Sequence, residues 1–140
     1  MPVSFFSEDV DFDLIDPQNT IKWIEGIVSS EKLSLSNLNY IFCSDEYLHN
    51  YNLKYLAHNT YTDIITFDQS EVKGTIEADI FISIDRVRDN SKSLGIPFDQ
   101  EIHRVIIHGV LHLMGYRDKT KKEKEAMRKK EDSCLSLHFN

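Results

Sequence analysis

His108 and His112 stand four residues apart, and Asp118 follows six residues later, in the segment HGVLHLMGYRD. Four residues is about one helical turn, so on a helix the two imidazoles share a face ~6 Å apart. Gly115 would end that helix and let the chain turn back, bringing Asp118 up as a third ligand. Two imidazoles and a carboxylate with an open position describe a catalytic metal site. An ion there polarises a phosphoryl or carbonyl oxygen and lowers the pKa of a coordinated water to ~7. The competing reading is a pair of hydrogen-bonded core histidines. Position 109, where an HExxH metalloprotease carries its glutamate base, is glycine, which disfavours peptide hydrolysis. A glycine in a helix interior costs ~1 kcal/mol against alanine. Close approach of substrate or backbone, or tight apolar packing, would each account for Gly109.

The other histidines fit the site less well. Helical geometry turns His103 about 140° and 180° from His108 and His112, so it is read as structural. His49, His58 and His138 have no partner spacing and are read as surface or core residues.

The elements that must position these residues follow from periodicity. Ile102, Val105, Ile106, Ile107, Val110, Leu111, Leu113 and Met114 make the histidine-bearing segment apolar nearly all round, which predicts a buried central helix from an N-cap at Asp99 to Met114. Residues 75 to 84 alternate Ile76, Ala78, Ile80, Ile82 and Ile84 onto one face of a strand. Strands are also expected at 3–6, 39–43 and 63–68. Helices are expected at 18–30, with Trp23 in the core, from a Ser44 cap to about Leu56, and at 85–94 before Gly95 and Pro97. Thr120 and Glu123 form a capping box for a last, basic helix. The whole is read as one α+β domain, residues 1–140, a single mixed β-sheet packed with helices.

Composition narrows the setting. The net charge of −7 argues against a generic nucleic-acid binder. Half of the 16 Lys and Arg residues, however, fall between Arg117 and Lys130, beside Asp118. They read either as a solvated face salted with Glu123, Glu125 and Glu131, or as a local positive field for a polyanion. Together with the metal reading, the second choice points to a phosphodiester. No apolar run approaches the ~20 residues of a membrane span. The N-terminus lacks a basic, apolar signal pattern, so the expected compartment is the cytosol. Cys43 and Cys134 fit no CxxC pattern and read as reduced thiols.

HGVLHLMGYRD resembles the YbeY signature His-Gly-x-Leu-His-Leu-x-Gly-Tyr-Asp-His. TDIITF (62–67) resembles that family's Thr-Asp-Val-Leu-Ser-Phe, ADIFIS (78–83) its Gly-Asp-Ile-Val-Ile-Ser, and Asn52 and Tyr55 match the preceding helix. The resemblance implies a zincin-like α+β fold and one divalent ion, usually Zn²⁺, held by His108, His112 and Asp118. It also implies cleavage of single-stranded RNA in maturing the 3′ end of small-subunit rRNA and in ribosome quality control, with the small ribosomal subunit and assembly factors as partners. Three positions depart from the family pattern. Asp118 replaces the third histidine, and this 2-His-1-carboxylate set also resembles iron(II) sites. Leu56 stands where the family carries an arginine, and Arg117 replaces an acidic residue. Arg117, Lys119 and Lys54 are therefore the candidate phosphate-binding cations. The alternative is a ribosome-assembly factor whose metal orders the fold, with little turnover. An iron-dependent oxygenase is disfavoured because such triads sit on all-β barrels.

Overall fold

The computed structural model describes residues 2–58 and 60–139. Among the described residues there are five helices and one four-stranded sheet. The strands are β1 (Val3–Ser7), β2 (Ser34–Cys43), β3 (Ile64–Asp68) and β4 (Thr75–Ser83). The helices are α1 (Pro17–Ser30), α2 (Asp45–Leu56), α3 (Ile84–Leu94), α4 (Phe98–Leu113) and α5 (Lys121–His138). The sheet order is β1-β2-β4-β3. β1 and β2 are parallel, as are β2 and β4, while β3 runs antiparallel to β4. The expected α+β domain with a mixed sheet is thus observed. No helix among the described residues is long and apolar enough to cross a membrane.

The alternation of β4 sorts its side chains as expected. Ile76, Ala78, Ile80 and Ile82 enter the main core with α1, α4 and α5. Phe81 faces the other way, into a smaller cluster with Cys43, Leu48 and Ile65 beneath α2. α4 lies in the main core with Ile102, Ile106, Ile107, Val110 and Leu111 fully buried. Tyr40 of β2 donates its hydroxyl proton to the Ile106 carbonyl at 2.9 Å, tying this helix to the sheet.

Several local expectations hold for the reasons the sequence suggested. Ser44 caps α2 by accepting from the Tyr47 N–H at 3.1 Å. Thr120 and Glu123 exchange both bonds of a capping box. Trp23 is buried and donates from Nε1 to the Cys134 carbonyl at 2.8 Å.

Most ends fall within a residue of expectation, and three differences have a local cause. β2 begins at Ser34 rather than Asn39; its first residues are mostly exposed and polar, so no apolar pattern marked them, yet they pair with Thr75 and Ile76. β4 stops at Ser83, whose hydroxyl accepts from the Arg86 N–H at 3.1 Å, so Ile84 opens α3 instead of ending the strand. Asp99 is not the N-cap of α4. Pro97 holds that position, extended, and Asp99 lies in the first turn, where its charge favours the helix N-terminus and its carbonyl accepts from His103 Nδ1 at 2.7 Å.

Candidate functional site

The last turns of α4 and the loop after it form the floor of a polar cleft. α4 ends at Leu113 and Gly115 takes φ +106°, a left-handed conformation that suits glycine. The N–H groups of Gly115 and Tyr116 return to the carbonyls of His112 and Leu111 at 3.1 and 3.0 Å. The chain therefore doubles back as the sequence suggested. It brings Asp118 Oδ2 to 3.3 Å from His108 Nε2.

Two adjoining chambers share His108, Asp118, Asp63 and Ile64. One, of about 300 Å³, also carries His112, Thr62 and Thr66. The other, of about 380 Å³, reaches Glu101, Arg104, Glu131, Lys124 and Arg128. All three expected ligands thus line one chamber. Among the described residues, however, no three His, Cys, Asp or Glu side chains form a set that would close on an ion as they stand. His108 and Asp118 are brought together; His112, one turn on and exposed, opens onto the same space.

The donor atoms present suit an ion. Ligand atoms ~2.0–2.1 Å from a tetrahedral Zn²⁺ stand about 3.3 Å apart. The 3.3 Å between His108 Nε2 and Asp118 Oδ2 has that spacing, and it is longer than a good N–H···O bond.

Glu131 changes most between sequence and structure. Its place among Lys129, Lys130 and the other charges of α5 predicts a solvated side chain, but only 5% of it is exposed. Its Oε2 accepts from His108 Nδ1 at 2.7 Å, and its Oε1 accepts from Arg104 Nη1 at 2.9 Å. Asp63 and Arg104 were also not anticipated as site residues. Asp63 lies inside the TDIITF segment, so that segment was the available signal. Arg104 carried one too, a charge in an otherwise apolar helix.

The charges set one another's protonation. Burial works against the charged form of His108, but the hydrogen bond and charge of Glu131, with Asp118 and Asp63, outweigh it and raise its pKa. Burial raises the pKa of Asp63, against the opposing pull of His108. Glu101 is raised by burial as well, opposed by Arg104.

Of the candidate phosphate binders, Lys54 lies elsewhere, over the Tyr55 ring in a groove of α2. Arg117 and Lys119 are exposed beside Asp118 but line neither chamber. Lys124 and Arg128 are the α5 cations that do. His103 is a buried structural residue, 2.9 Å from Thr20 Oγ1 through Nε2. His138 packs over its ring, and His49 stacks on Tyr61.

Gly109 has a packing reason. A Cβ there would stand 3.0 Å from Ile80 Cδ1 and 3.1 Å from Ile64 Cδ1, so α4 crosses the sheet at close range.

These features define a class: single-sheet α+β domains in which a buried helix delivers two histidines and a following carboxylate to a polar cleft. The chain belongs to the endoribonuclease YbeY family, whose model matches residues 6–138. It is 56% identical over 135 residues to the endoribonuclease YbeY of Cytophaga hutchinsonii, covering 96% of this chain and 94% of that protein. It is 51% identical over 129 residues to the one from Amoebophilus asiaticus, covering 92% and 88%. The solution structure of TM1509 from Thermotoga maritima superposes with a TM-score of 0.66 at 25% identity, covering 96% of this chain and 87% of that one.

Proposed function

We propose that this chain is a metal-dependent endoribonuclease specific for single-stranded RNA. It acts in the cytoplasm, in maturing the 3′ end of small-subunit rRNA and in ribosome quality control. The small ribosomal subunit and its assembly factors are its partners. Family membership supports the ribonuclease reading. The observation that carries the metal is the approach of His108 Nε2 and Asp118 Oδ2 to ligand-edge distance in a chamber shared with His112.

His108, His112 and Asp118 would hold one divalent ion, Zn²⁺ in the first instance. When bound, that ion supplies Lewis-acid polarisation of a phosphoryl oxygen and activation of a water. The chain's own groups do the rest. Lys124 and Arg128 bind flanking phosphates from α5, and Arg117 and Lys119 extend that field along the rim. Asp63 lines both chambers beside His108 and Asp118, a position from which its carboxyl would hand a proton to the leaving oxygen.

Metal analysis paired with a cleavage assay on single-stranded RNA tests this. The purified protein should carry about one ion per chain, and His112→Ala should lose both ion and cleavage. Metal-free wild type with unchanged activity would sink the reading.

A second reading is a ribosome-assembly factor whose ion orders the fold with little turnover. Its support is Leu56, 40% exposed at the end of α2, where the family arginine would stand. A leucine cannot hold a phosphate. Normal rRNA maturation in cells whose only copy is a folded His108→Ala variant would favour it.

A further inference from the structure

His108 is held from behind. Its Nδ1 stands 2.7 Å from Glu131 Oε2. A carboxylate only accepts, so Nδ1 carries the proton in this bond and the neutral ring keeps its lone pair on Nε2. Nε2 is the atom that faces Asp118 across the cleft.

Glu131 is itself fixed. Its second oxygen takes the Arg104 Nη1 bond at 2.9 Å, and Arg104 Nη2 reaches Asp132 Oδ1 at 2.7 Å. The side chains of Arg104 and Glu131 are 8% and 7% exposed. The guanidinium fork is committed to α5. Its Nε is left without a hydrogen-bond partner, 3.9 Å from the equally unpartnered Glu101 Oε1 of its own helix. Arg104 lies one turn before His108 on α4. One helix therefore supplies the imidazole and the clamp, and the other supplies the carboxylate between them.

We infer that Glu131 is a positioning residue for the ion site: it holds His108 as the Nδ1–H tautomer with Nε2 turned to the cleft, and Arg104 locks Glu131 in that role. The inference rests on the reading of His108 as a ligand. An ion pair that served only to join α4 to α5 would be complete with Arg104 and Glu131 alone. The bond to His108 connects it to the cleft. Carboxylates that orient a ligating imidazole through its other nitrogen raise its basicity and fix its angle, and losing one costs roughly 10–100-fold in metal affinity.

The experiment has two arms. Ring-nitrogen NMR of chelator-treated wild type at alkaline pH, where the imidazole is neutral, should find His108 as the Nδ1–H tautomer; an Nε2–H tautomer would overturn the inference. Zinc affinity by chelator competition should fall roughly 10–100-fold in Glu131→Ala, and by less in Glu131→Gln, which keeps an oxygen acceptor. Zinc bound equally by wild type and Glu131→Ala would also overturn it. If the alanine variant does not fold, the tautomer of the wild type decides alone. Wild type that takes up no zinc would instead overturn the ligand reading on which the inference stands.

Discussion

Gly109 of α4 and Ile80 of β4 are packed so closely that a Cβ on the glycine would lie 3.0 Å from the isoleucine Cδ1. Ile80 is itself fully buried. This contact sets how near the histidine-bearing helix lies to the sheet. It also accounts for a helix-weakening residue between the two histidines.

Gly109→Ala should therefore lower stability. Alanine gains ~1 kcal/mol in helix propensity, but crowding a packed core costs about 1–3 kcal/mol. A net loss of about 1 kcal/mol is expected in denaturant unfolding. Gly26 of α1 is the control. A Cβ there meets nothing within 4 Å, so Gly26→Ala should stabilise by roughly 0.4–1 kcal/mol. Equal stabilisation by both changes would contradict the packing account.

His103→Ala should separate structure from site. The imidazole is 1% exposed and bonded at both nitrogens, to Thr20 and to the Asp99 carbonyl. Its loss should cost about 2–4 kcal/mol through the cavity and the stranded Thr20 hydroxyl. Metal content of the folded fraction should stay at the wild-type level, whereas His112→Ala should lose the ion. A His103→Ala protein that folds normally but carries no metal would count against the structural reading.

Asp63 should reveal its role through pH. Its folded pKa is raised by burial, so the native state binds more protons than the unfolded state between the ordinary aspartate value and the raised one. Stability from this group therefore falls as pH rises through that window and stays low above it. Asp63→Asn cannot ionise. With both proteins metal-free, it should unfold at a higher temperature than wild type at neutral pH and lose that advantage below the ordinary aspartate range; with metal restored, it should cleave RNA more slowly. A variant less stable than wild type at neutral pH would refute this sign.

Lys124 and Arg128 should carry the salt dependence of RNA binding. Each single alanine change should weaken binding across sequences and reduce the slope of log affinity against log salt by about 0.7, the value for one phosphate contact on a single strand. Lys54→Ala should change neither, because Lys54 lies in the α2 groove. An unchanged slope in Lys124→Ala and Arg128→Ala, with a reduced one in Lys54→Ala, would move the RNA path to α2.

Much of this was legible in the chain. Helical periodicity in α4 and alternation in β4 report burial directly, because an apolar face must be hidden whatever covers it. Ser44, Gly115 and the Thr120–Glu123 box act through bonds to near neighbours in sequence, so their meaning is local. The start of β2 was not legible, since its exposed residues are held by a partner strand rather than by an apolar pattern.

The sequence by itself determined the spacing of His108 and His112, the turn that follows them and the presence of Asp118. Only the tertiary structure decided which charges join them. Glu131 is 23 residues from His108 in sequence and 2.7 Å away in space. It follows a run of lysines, so composition assigned it to solvent. Arg104, Asp63 and the choice of Lys124 and Arg128 over Lys54 depend in the same way on how α4, α5 and β3 pack. Local sequence encodes a residue's face on its own element, but the partner across that face is set by the docking of elements distant in the chain.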